Sequence, residues 1–142
     1  MISDERGIRR GYEAFNRRDV DEILGLLDPA IEFRMPLDPM GVHPVFRGLE
    51  GVREFYDTLW DAYEQFRADI ADVTSLGDVL VASGRMTARP RGAPEFSSFK
   101  FSHFWHVRDE RAVAVAFHDA VNPLSLLYQP AASRLRRRTE RD

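Results

Sequence analysis

The sequence predicts an α+β fold: three helices in the N-terminal half, packed on a curved antiparallel or mixed sheet. Three observations point there. Apolar residues recur at helical spacing in three stretches up to Phe66, with one alternating run between them, and those after Phe66 alternate in twos. Turn signals, Gly77-Asp78, "PRGAP" and "DER", separate the alternating runs. Helices followed by a strand meander leave one sheet face for the helices to cover.

Ser3 is placed to cap the first helix, and Ile8, Tyr12 and Phe15 mark one of its faces at i, i+4 and i+7. "NRRDVDE" interrupts that pattern. Asp19 and Glu22 have the spacing of a capping box, so a short second helix starts there, with Ile23, Leu24 and Leu27 as its buried side and "DPA" as its end. "IEFRM" alternates Ile31, Phe33 and Met35 with Glu32 and Arg34, a half-buried strand. "PLDPMGVHPVFRG" carries three prolines and two glycines and is expected to be a long loop, a common place for a lid or binding segment.

The strongest helical pattern is "LEGVREFYDTLWDAYEQF". Val52, Phe55, Tyr56, Leu59, Tyr63 and Phe66 form one stripe, widened by Trp60. That aromatic weight requires a broad apolar surface beneath it. The strands expected after it are "FRADIADVTSLGD", "VLVASGRMTAR", "FSSFKFSHFWHVRDE" and "AVAVAFHDA". In the third, Phe99, Phe101, His103, Trp105 and Val107 share a face, opposite Ser98, Lys100, Ser102, Phe104 and His106. In the second, Leu80, Ala82, Gly84 and Met86 make the more apolar face, which sends Arg85 outward. The residues alone do not rank the two faces of 79–89 firmly.

Bulk properties narrow the function classes. The 142 residues suit one domain with a core of its own. No cysteine is present, so disulfides, thiolate metal sites and cysteine nucleophiles are excluded. A net charge of -3 argues against a nucleic-acid surface over the whole domain. No apolar run approaches a membrane span and "MISDERGIRRGYEAF" has no apolar signal core, so a cytoplasmic location is expected. Residues 131–142 hold five arginines between Arg134 and Arg141; a polyanion-binding arm and a solvated, frayed terminus are the two readings, and the second is expected. No HxH, HExxH, glycine-rich phosphate loop or GxSxG element occurs, so neither a metal nor a cofactor is expected.

The order of elements, together with "YEAFNRRDVDEILGLLDPAIEF", "FRGLEGVREFY" and "FSHFWHVRDERAVAVAFHD", resembles the nuclear-transport-factor-2-like cone fold over about residues 5–130. Within that superfamily the chain is most similar to the SnoaL-like group, which includes polyketide cyclases; "NPLSLLY" resembles the segment that follows the last strand there. The resemblance implies a single domain, residues 1–130, in which sheet and helices enclose a pocket open at one end. It also implies dimers through the outer sheet face, where Phe104 would sit. Fold alone does not settle function.

Within such a pocket a few polar groups carry specificity. Alternation places His103 with Phe101 and Trp105, and Asp119 with Phe117 and Val115. Side by side in a desolvated site, His103 and Asp119 could move a proton at neutral pH, worth typically ~10²–10⁴ in rate. The resemblance points the same way, because SnoaL-like cyclases are thought to use a late Asp as acid/base. The plainer alternative is a strand-end carboxylate and a satisfied core histidine. Phe33, Met35, Trp60, Tyr63, Phe101, Trp105 and Phe117 are expected to line the pocket while also serving as core. His118 and His106 alternate outward, and His43, in the mouth loop beside Asp38, is expected to be solvated.

The resemblance also marks departures. The ketosteroid isomerase tyrosine position, eight residues before Asp19, falls on Gly11, with Tyr12 one residue further and about 100° around the helix. The isomerase base position before a proline is Met35, and its second acid corresponds to His103. The Asp-Arg-Asp set of limonene-epoxide hydrolases finds at most Asp119. Three functions remain: an acid/base enzyme acting on a hydrophobic, cyclic molecule without a cofactor; a carrier of such a ligand; or an interaction module whose cavity is filled by its own side chains.

Overall fold

A computed structural model describes residues 4–36 and 40–118. Helix α1 (Glu5–Asn16) begins at Asp4, whose carboxylate accepts the Gly7 N–H at 2.9 Å, so Asp4 is the capping residue where Ser3 was expected. Its buried face carries Ile8, Tyr12 and Phe15. Helix α2 (Val20–Gly25) is capped by Asp19, which accepts from the Glu22 N–H. The capping box is half made: the Glu22 carboxylate turns away to Arg10 and Arg17. Leu27 belongs to strand β1 (Leu27–Arg34), not to α2. Spacing could not separate the two, since Ile23 to Leu27 is also a helical step.

The expected loop after β1 contains a three-residue strand, β2 (Val45–Arg47), antiparallel to β1. Helix α3 (Gly48–Ala62) then buries Val52, Phe55, Tyr56, Leu59 and Trp60. It stops four residues short of the expected end. Tyr63 and Phe66 lie in β3 (Tyr63–Leu76), both buried: Tyr63 is four residues from Leu59, a step that either period allows, and a register shift between Tyr63 and Gln65 turns Phe66 inward as well. The C-terminus of α3 has no basic residue in its last turn. Two arginines from elsewhere serve it. Arg18, at φ 58° in the α1–α2 turn, donates to the carbonyls of Trp60, Tyr63 and Glu64 at 3.2, 2.9 and 2.8 Å. Arg91 donates to those of Asp61 and Trp60. Cations here complement the negative end of the helix dipole.

Strands β4 (Val79–Pro90), β5 (Ser97–Arg108) and β6 (Arg111–Phe117) complete a six-stranded sheet in the order β2-β1-β6-β5-β4-β3. It is mixed: β1 runs parallel to β6, and all other neighbours are antiparallel. In β4 the buried residues are Leu80, Ala82, Met86 and Ala88, and Arg85 is exposed, so the more apolar face is the inner one. Curvature has a local source. β3 shifts register between Ile70 and Asp72, pressing onto Gly84, where a Cβ would lie 2.0 Å from the Asp69 carbonyl oxygen. The Asn16 side chain ties α1 to this strand, accepting the Ala68 N–H at 2.8 Å and donating to its carbonyl at 2.9 Å.

Candidate functional site

The helices lie over the inner sheet face and leave a cavity between them. Gly11, Tyr12 and Phe15 face it from α1; Phe55, Tyr56 and Leu59 from α3; His103, Trp105 and Phe117 from the last strands. Met35, just past the end of β1, completes that wall, where its N–H donates to the Pro44 carbonyl at 2.8 Å. The wall is mainly apolar. Its water-accessible volume is about 50 Å³, room for about three to five waters at ~10–15 Å³ each.

His103 is the buried polar residue of the core among the described residues, 5 % exposed. Its Nδ1 lies 2.6 Å from the Tyr12 hydroxyl, and the Trp105 indole N–H donates to the same hydroxyl oxygen at 3.1 Å. An indole can only donate, so the tyrosine oxygen accepts there. A chain running from the Trp105 N–H to the Tyr12 oxygen and from the Tyr12 O–H to His103 Nδ1 fits both distances and corresponds to the tautomer with the imidazole proton on Nε2. The imidazole is held between rings, with Phe101 and Phe117 centroids at 4.6 and 4.3 Å. Burial also pushes the Tyr56 phenol well above its usual range, so that hydroxyl stays neutral.

Of the residues expected to line the pocket, Met35, Trp105 and Phe117 do so, along with His103. Phe33, Trp60, Tyr63 and Phe101 are buried one layer behind. Phe33 packs edge-on to Phe55 and Phe117, Trp60 stacks on Tyr56, Tyr63 meets Phe66, and Phe101 backs Tyr12 and His103. Alternation gives the side a residue faces but not its depth. The Trp60 indole nitrogen is buried with no hydrogen-bond partner among the described residues. Asp119, Asp38, the "NPLSLLY" segment and the arginine-rich tail lie outside the described residues.

Tyr12 is the residue the sequence reading under-used. It stood on the buried face of α1, but its one-residue offset from the isomerase position counted against it. In the structure Gly11 and Tyr12 both face the cavity. The available signal was a hydroxyl on an otherwise apolar helix face. His43 is exposed, with Nδ1 3.3 Å from the Met35 carbonyl oxygen. His106 is half-buried, and the exposed His118 lies with its ring 4.9 Å from that of Phe104. No group of three histidine or acidic side chains could hold a metal among the described residues, and none of their helices is long and apolar enough to cross a membrane.

Residues 8–115 match the family described as the SnoaL-like domain. Solved structures share the fold. An NTF2-like protein of unknown function from Burkholderia pseudomallei is 23 % identical, with a TM-score of 0.75 over 90 % of this chain and 97 % of that one. TerC, crystallised with polyporic acid, is 23 % identical, with a TM-score of 0.70 over 86 % and 92 %. A candidate polyketide cyclase from Xanthomonas campestris is 23 % identical, with a TM-score of 0.63 over 78 % and 84 %. No curated protein matches the chain significantly.

Proposed function

The chain belongs to the SnoaL-like domain family, and from that premise we propose that it binds a small, largely apolar, ring-bearing molecule in a cone-shaped enclosure between helices and sheet. The carrying observation is the Tyr12–His103–Trp105 network, a hydrogen-bonded polar set in a mainly apolar wall. Such a wall selects a flat hydrophobic body, and the polar set selects one oxygen on it, a carbonyl or hydroxyl. Two structural neighbours fit this reading: one was crystallised with polyporic acid and another is a candidate polyketide cyclase.

On this reading the activity is acid/base chemistry without a cofactor: cyclisation, isomerisation or hydration. His103 and Asp119 are the proposed proton-transfer pair, with Tyr12 holding the substrate oxygen or orienting the imidazole. Asp119 enters on sequence grounds alone. A homodimer through the outer sheet face, with half-buried Phe104 in the interface, and a cytoplasmic location complete the proposal.

Titration with 2-naphthol and with naphthalene tests binding. The hydroxylated ring is expected to bind at least tenfold tighter, and Tyr12→Phe to erase the difference. Equal binding of both rings by the parent protein would refute the polar recognition. Chemistry is tested by deuterium exchange at the carbon beside the carbonyl of 2-tetralone. Asp119→Asn is expected to lose exchange and keep binding, and an unchanged exchange rate removes the acid/base claim.

A second reading has its own support. A water-accessible volume of about 50 Å³ is small for a ring. A domain whose cavity is occupied by its own phenyl groups would serve as an interaction module, and neither naphthol nor naphthalene would bind it.

A further inference from the structure

The cavity and an open groove share a wall. The groove, about 480 Å³, lies where β1 and β6 end, and Pro36, His43 and Val45 help to line it. Met35 and Phe117 line both spaces. They are 3 % and 9 % exposed, and together they form the partition between the two spaces. On one side of it stand Tyr12 and His103; on the other are Pro36, His43 and Val45.

The two halves of the partition are not equally movable. Phe117 is wedged among rings, with centroids 5.3 Å from Phe33, 5.9 Å from Phe55 and 4.3 Å from His103. Met35 lies beyond the last residue of β1, and its unbranched thioether chain has three rotatable bonds. Space decides whether it must move. A cavity that holds one benzene ring measures about 150 Å³, and this one about 50 Å³. A ring-sized ligand therefore needs a lining side chain displaced, and Met35 is the part of this partition that can swing without breaking a ring cluster.

We propose that Met35 is the gate and size filter of the binding site. Its side chain swings to join cavity and groove into one elongated site, which takes a flat apolar molecule longer than one ring, oxygen-bearing end innermost at Tyr12 and His103. The proposal rests on the ligand-binding reading above, so its test uses no such ligand.

Trp105 is 5 % exposed at the cavity wall, and the chain has two tryptophans. In a Trp60→Phe background, acrylamide quenching of fluorescence reports entry of a small solute to Trp105. The quenching constant is expected to rise at least threefold with Met35→Ala and to stay at or below the parent value with Met35→Phe. Met35→Val, expected to give a smaller rise, replaces Met35→Ala if circular dichroism shows that variant unfolded. In the reverse background, Trp105→Phe, quenching of Trp60 is expected not to change with Met35→Ala. Equal constants for Trp105 in parent and truncated variant, or a parallel rise at Trp60, would overturn the gate. Failure of the ligand reading shows instead in the naphthol titration, which this measurement does not use.

Discussion

The Tyr12 hydroxyl and His103 Nδ1 stand 2.6 Å apart although 91 residues separate them in the chain. One sits on the first helix, the other on the penultimate strand, so this bond joins the helical layer to the sheet across the cavity.

Tyr12→Phe keeps the ring and removes the oxygen, which leaves the Trp105 N–H and His103 Nδ1 without it. A loss of about 1–3 kcal/mol in unfolding free energy is expected, read from urea denaturation with an unchanged m-value. A loss within error would show that other groups satisfy both nitrogens.

Gly84→Ala is expected to be costly, because the new Cβ would meet the Asp69 carbonyl at 2.0 Å and the bulge would have to move. Overpacking of this kind costs about 1–3 kcal/mol. Gly25→Ala is the control, with nothing within 4 Å of its Cβ, and is expected to be neutral or slightly stabilising. Thermal unfolding of the pair checks the contrast.

Arg18→Gly relieves the backbone at φ 58° but removes the bonds to three carbonyls of the α3–β3 junction. Arg18→Ala loses the bonds and keeps the strain. Both should destabilise, the alanine variant more, by about 2 kcal/mol. The reverse order in chemical denaturation would mean that the backbone at φ 58° carries little strain, and parent-like stability of both would mean that the guanidinium contributes little.

Alkaline pH should weaken the fold. The Tyr56 phenol is pushed above its ordinary value of 10.0 by burial, so in the folded chain it stays protonated where the unfolded chain has ionised. A raised folded pKa means full stability below about pH 10 and loss above it, by about 1.4 kcal/mol per pH unit for one proton. Burial shifts Tyr63 in the same direction. Tyr56→Phe should flatten the decline between pH 10 and 11, followed by denaturant midpoints; an unchanged slope would contradict the assignment.

Much of this architecture was legible because two periods suffice to write it. Alternation placed His103 inward and Arg85 outward, and the aromatic stripe identified α3. The errors fell where both periods agree. Leu27 and Tyr63 each stand a helical step from the preceding core residue, yet each opens a strand. Strand β2 was hidden by its three-residue length inside a proline-rich run. At the site, composition along an element tells which side faces in. It does not tell which of two inward rings, Phe101 or Phe117, reaches the void. The partnership of Tyr12 with His103 has no local signature, since only the closed sheet brings them together.

The parallel pairing of β1 with β6 carries a consequence for biosynthesis. The neighbour that β1 needs on its inner side is, among the described residues, the last strand to be translated. A nascent chain halted before Arg111 would hold β1 with only the three-residue β2 beside it, leaving a row of backbone donors and acceptors uncovered. Completion of the domain on the ribosome therefore waits until β6 clears the exit tunnel, and chaperone occupancy should peak just before that length is reached.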